Sequence, residues 1–136
     1  MADKESTLPL LKAAHQKPLV GLELPDDDDI LEVEEMIYVQ IRGDFREFLL
    51  TASDLIIGTL EPVTVNDPSS HTYLPDVASH AWENGLPREL LPVCQTADGY
   101  YCLDLEDQVI YWCDGVQQPG EWPSIWSWAE SEWANS

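Results

Sequence analysis

Basic residues are scarce in this chain, and they run out early. Lys and Arg together number 6 against 26 Asp and Glu, a formal net charge of -20, and none follows Arg88. Such a field repels nucleic acid and anionic lipid, since phosphate-tracking grooves and membrane-docking surfaces are built from Lys and Arg. It raises encounter rates with a basic partner, although acidity also serves plain solubility, so charge alone leaves both uses open. Long apolar runs are missing too. No stretch approaches the roughly 18 residues of a membrane span. The start has no charged-then-apolar leader pattern, so no secretory signal is expected. Cysteine is limited to Cys94, Cys102 and Cys113, an odd set with no C-x-x-C spacing. Zinc is therefore not expected, and a reducing cytoplasm is. No internal repeat or low-complexity linker is visible.

With 136 residues, 44% of them hydrophobic, the chain suits one domain with a real core. The strongest local signal is residues 90–114, LLPVCQTADGYYCLDLEDQVIYWCD. Turn signals at Ala97-Asp98-Gly99 and Glu106-Asp107 separate three runs of strand-forming residues, which predicts a three-stranded antiparallel meander. Folding at those turns places Cys94 opposite Cys102, Val93 opposite Leu103, and Leu103 opposite Ile110. The period of two then assigns Leu91, Val93, Tyr101, Leu103, Leu105, Ile110 and Trp112 to a helix-covered face. Cys94, Cys102, Asp104, Val109, Tyr111 and Cys113 fall on a mixed, partly open face.

Helices are expected around this meander. Residues 1–7 read as a polar, frayed end, after which Ser6 or Thr7 caps a short helix carrying Leu8, Leu11 and Ala14, ended by Pro18. Residues 19–24 read as a short strand or a connector. The run Asp26, Asp27, Asp28 and Asp29 resembles a calcium loop only superficially, because Ile30 and Leu31 stand where that loop needs an oxygen ligand and a glycine. Acids complement the positive end of a helix, and Ile30, Val33, Ile37 and Ile41 repeat at helical spacing, so a helix is expected over 28–40. Asp44 and Glu47 resemble a capping box for a helix over 45–53. Residues 54–65 read as two short strands or one bulged edge. Pro75 and Asp76 open a helix closed by Gly85, and Gln117-Gln118-Pro119-Gly120 reads as a loop. Trp122, Ile125, Trp126, Ala129 and Trp133 form the stripe of a final amphipathic helix near 123–134, with Trp128 off the stripe.

Candidate chemistry is thin. His15, His71 and His80 could serve as bases, but no G-x-S-x-G elbow or phosphate-cradling glycine loop accompanies them. Cys94 and Cys102, if opposed, could bridge or share a metal. Two buried, reduced hydrophobes are the simpler reading. Trp122 and Trp128 are the candidates for exposed aromatic anchors.

Four features in this order carry a resemblance to the SUKH superfamily, the group of the yeast cell-wall-assembly regulator and of bacterial proteins encoded beside polymorphic toxins. They are the acidic helix leading into Asp44-Phe45-Arg46-Glu47-Phe48-Leu49-Leu50, the Trp82–Leu86 segment leading into Pro87-Arg88-Glu89-Leu90-Leu91-Pro92-Val93, the strand pair 101–105 and 108–112, and the Trp-rich end from Ser124 to Trp133. Ile41-Arg42-Gly43 before Asp44 and Ala52-Ser53-Asp54 after Leu50 depart from the usual family loops. The resemblance implies an α+β domain, here a single one over 1–136, with helices packed on an antiparallel sheet and no catalytic residues; no metal or cofactor is expected either. For bacterial members it implies a cytoplasmic immunity protein that binds a cognate toxin, here a basic one such as a nuclease. The alternative is a regulatory scaffold for endogenous proteins. Candidate partner-binding residues are Asp104, Tyr111 and Asp114 with the turn Glu106 and Asp107 beside them, and a second patch at Asp26, Asp27, Asp28 and Asp29.

Overall fold

The computed structural model describes residues 2–17 and 21–136. The chain folds as α1 (Lys4–Ala14), α2 (Asp27–Ile37), α3 (Gly43–Ala52), β1 (Glu61–Pro62), α4 (Leu74–Glu83), β2 (Leu91–Gln95), β3 (Gly99–Leu103), β4 (Val109–Cys113), β5 (Val116–Trp122) and α5 (Ile125–Trp128), the last running on as a π-helical turn, Ala129–Trp133. This is the expected α+β arrangement. The strands lie in the order β1-β2-β3-β4-β5 with every pair antiparallel, so the expected meander forms the middle of a five-stranded sheet.

The register differs from the expected one, for two local reasons. A bulge between Pro92 and Cys94 pairs Leu91 with Leu103 and Cys94 with Tyr101. One extra residue reverses side-chain parity, so Val93 and Cys94 both enter the main core although they are consecutive. At the second turn Leu103 pairs with Val109, and Cys102 with Ile110. Here Asp104 Oδ1 accepts from the amides of Glu106 and Gln108 at 2.9 and 3.0 Å, and Asp107 takes a left-handed φ of 62°. This Asx-type turn sets the pairing one residue away from a fold centred between Glu106 and Asp107. Val109 and Tyr111 consequently join Leu103 and Tyr101 toward the main core, while Ile110 and Trp112 go to the other face. Leu105, expected in the core, is 82% exposed.

The second face is not open. Cys102 and Ile110 pack there against Ala81, Leu86 and Leu90, with Trp82 and Trp112 around them. Cys94 and Cys102 therefore sit in different clusters and cannot bridge.

The segment read as a loop at 117–120 is part of β5. Asp114 and Gly115 both have positive φ, 54° and 79°, as a two-residue hairpin turn requires. Pro119 and Gly120 are accommodated because β5 is an edge strand: the register passes from Trp112↔Gln117 to Ile110↔Glu121, leaving them in a bulge. A bulged edge carrying Pro resists pairing with another chain.

The helices also start and stop for stated reasons. Asp3 caps α1 with Ser6 as its reciprocal partner, so the helix begins at Lys4, inside the stretch expected to fray, and Thr7 is fully buried. Pro18 and residues 19–20 lie outside the described residues, and 21–24 are irregular. Asp26 and Asp29 form the capping box of α2, which satisfies amides at the positive helix end. The Asp44–Glu47 box does not form; α3 begins at Gly43 with no side-chain cap, and Glu47 instead pairs with Lys4 at 2.9 Å. Of residues 54–65 only β1 is a strand, with one isolated bridge between Thr64 and Tyr73.

Trp128 overturns its expected exposure most clearly. Trp126 and Trp133 lie 5.4 and 5.6 Å from the Phe48 ring of α3, whereas Trp128 lies 5.3 Å from Tyr101 of the sheet. Residues two apart on a helix point to opposite sides, so burying both sets requires a helix covered on two sides. Ser136 closes the end against residues 57–60, where Gly58 has φ +55° and a Cβ would meet Ser136 at 2.3 Å.

The contrast between buried Leu103 and exposed Leu105 provides a direct test of this arrangement. Leu103→Ala should lower stability by roughly 2–5 kcal/mol, and Leu105→Ala should stay within about 0.5 kcal/mol. Equal losses in urea melts would restore the expected register.

Candidate partner-binding groove

Where α2 ends, three separated segments meet. The connector 39–42, the residue Glu89 ahead of β2, and the turn 104–107 enclose a groove of about 300 Å³. Val39 and Gln40 also border a second, adjoining hollow with Leu31, Glu34, Glu35 and Tyr38. The chain holds this region firmly. Glu34 accepts from the Ile41 amide at 2.6 Å, pinning the connector across the end of α2. Arg88 stacks on the Trp82 ring at 3.6 Å and donates to the Ile37 carbonyl, so a cation meets the negative end of α2.

Tyr38 is the unusual residue here. It ends α2 in a left-handed conformation, φ 58°, yet it is 88% exposed. Such a conformation costs a bulky residue about 1–2 kcal/mol, and no burial of the ring offsets it. Leu105 is the second large apolar residue here, standing out of a turn whose neighbours are Asp104, Glu106 and Asp107. Arg42 is the one basic residue lining either hollow.

The expected binding residues are not gathered in one place. Asp104, Glu106 and Asp107 belong to the groove end of the sheet. Asp104 spends one carboxylate oxygen on the turn. Asp114 lies in the β4–β5 turn at the far end of β4, roughly 17 Å away for five residues of strand. Tyr111 is not on a less apolar face: its ring lies 4.8 Å from Tyr101 and its hydroxyl meets Thr96 Oγ1 at 2.8 Å. Asp26, Asp27, Asp28 and Asp29 occupy the other end of α2, about 16 Å from the groove along an 11-residue helix. Asp26 and Asp29 are committed to the cap, and Asp27 pairs with Arg46 at 2.6 Å. Tyr38, Leu105, Glu35 and Glu89 were not among the expected residues. A large aliphatic side chain inside an all-acid turn was the available signal for Leu105. Nothing local marks Tyr38, whose conformation arises only where α2 stops.

The histidines and cysteines sit apart from the groove. His15 Nδ1 accepts from the Ile56 amide at 2.9 Å, and His71 Nε2 meets Glu61 at 2.6 Å rather than the neighbouring Ser70, whose hydroxyl bonds Thr72. Burial pushes the Cys94 thiol up to about 12 and raises Cys102 further. Both stay neutral at ordinary pH, which makes them poor nucleophiles and poor metal ligands. Among the described residues no group of three or more His, Cys, Asp and Glu is placed to hold a metal ion. Nor is any described helix long and apolar enough to cross a membrane.

The family described as SUKH_5, SMI1-KNR4 cell-wall, matches residues 5–134. A crystal structure of a protein from Pseudomonas syringae pv. tomato is similar over 97% of this chain and 99% of its own, with a TM-score of 0.92 and 45% sequence identity. No curated protein matches the chain.

Thiol chemistry checks the burial. In native buffer a thiol reagent should titrate Cys113 alone, with Cys94 and Cys102 reacting only in denaturant. Fast modification of three thiols in the folded protein would contradict their placement.

Proposed function

The chain belongs to the SMI1-KNR4 cell-wall family of the SUKH group, and from that membership and its charge we propose that it acts by binding and masking another protein. The observation that carries this reading is the distribution of charge. Of the basic side chains, Lys4 and Arg46 are paired to carboxylates and Arg88 is stacked on Trp82, while every charged residue beyond Arg88 is acidic. A domain of this kind presents its partner with carboxylates in quantity and few competing cations. A basic protein surface is the complement.

Within the SUKH group, the role that fits best is a cytoplasmic immunity protein for a cognate toxin. A nuclease is the toxin type whose chemistry matches, since its substrate groove must be basic to hold phosphates. Carboxylates of the immunity protein would occupy that groove electrostatically. Catalysis plays no part in this reading. The family description, cell-wall SMI1-KNR4, also supports a second reading, a regulatory scaffold for endogenous proteins, which uses the same surface without a toxin.

Co-expression separates the two. Cells making the toxin encoded beside this gene should survive with the protein and die without it. Association of the purified pair should slow steeply between about 50 and 500 mM salt, as the screening length falls from roughly 14 to 4 Å, while dissociation changes little. No protection and no binding would leave the scaffold reading ahead.

A further inference from the structure

We propose that the partner seats a basic segment in the groove at the end of α2, with an apolar side chain held by Tyr38 and Leu105 and flanking Lys or Arg side chains on Glu35, Glu89 and Asp107. This assignment rests on the protein-binding reading above and adds the surface and the chemistry of the segment it receives.

Two independent features converge on the place. Among the described residues, Tyr38 and Leu105 are the most exposed large apolar side chains, at 88% and 82%. They border two hollows that share Val39 and Gln40 in their walls, so one extended segment crossing that connector can reach both. Aromatic and apolar anchors ringed by polar groups are what concentrates binding energy in an interface. The ring of acids then decides the occupant. Glu34 and Glu35 border one hollow; Glu89, Asp104 and Asp107 border the other, against Arg42 alone. Glu34 and Asp104 are half-buried and bonded to backbone amides, which leaves Glu35, Glu89 and Asp107 as the exposed carboxylates. A second copy of this chain would bring its own charge of -20 against them. An anionic surface is excluded for the same reason. A cationic polypeptide with a hydrophobic residue between its charges satisfies every group at once.

The site is also prepared in advance. The Glu34–Ile41 bond and the Arg88–Ile37 contact fix the connector before any partner arrives, so little ordering is lost on binding.

The test uses the full chain and, as probe, a catalytically inactive form of the toxin encoded beside its gene. Tyr38→Asn places a residue that tolerates the left-handed conformation better than Tyr, and Leu105→Ser changes a side chain outside the core, so neither variant should melt below the wild type. Each should weaken binding about 30-fold, mostly through faster dissociation. Val116→Ser, an exposed position in β5 away from the groove, should bind like wild type. Wild-type binding with both groove variants within about threefold of it would overturn the assignment and leave the protein-binding reading standing. Absence of wild-type binding would instead remove the immunity reading, and with it this assignment of a toxin segment to the groove.

Discussion

The N-terminal helix, α3 and one face of the sheet all close on the last helix. Its tryptophans point both ways, Trp126 and Trp133 into Phe48 of α3, Trp128 onto Tyr101 of the sheet. A helix buried on both sides cannot be amphipathic in the ordinary sense. Burying these rings leaves three indole N–H groups without a hydrogen-bond partner among the described residues, a penalty of roughly 1–3 kcal/mol for each. Ring packing offsets it, because large aromatic side chains bury the most area and their tilted contacts add to it. Trp126 and Trp133, seven residues apart, fall on one side of this helix and share one cluster. Leu11 of α1 packs in that cluster as well, and the Thr7 hydroxyl of α1 donates to Glu130. The N-terminal helix and the sheet are therefore joined through the final dozen residues rather than to each other directly.

That arrangement frees the ends of the sheet. One face of the sheet packs against α5 and the other against Ala81, Leu86 and Leu90, which leaves the turns at its ends and the edge strand β5 exposed. The groove uses one such end. Its walls come from the connector after α2, held by the Glu34–Ile41 bond, from the residue before β2, and from the β3–β4 turn, held by Asp104. Rigid elements with a strained, exposed aromatic at their junction are a reasonable way to hold an anchor in place without a pocket of its own.

Much of this was legible in the sequence, and the failures have physical causes. The meander at 90–114 was readable because alternation and turn residues agree. Its register was not, since the bulge at Val93 and the Asp104 turn each shift parity by one residue, and period-two reasoning carries such an error through the rest of the ladder. The strand β5 was masked by Pro119-Gly120, which outweighed the better signal, Asp114-Gly115. Trp128 was misplaced because helical periodicity assumes one covered side. Of the site, Asp104, Glu106 and Asp107 were readable as an acidic turn. Tyr38 and Glu89 were not, because their proximity to that turn exists only in the folded chain.

Hydrogen exchange of the chain, free and mixed with the neighbouring-gene toxin that the immunity reading requires, tests the central claim most directly. Binding at the groove should slow exchange of amides in 38–42 and 104–108, and leave the turns at 96–99 and 114–115 unchanged. Protection confined to those far turns, or to Asp26–Asp29, would place the partner elsewhere and contradict the account.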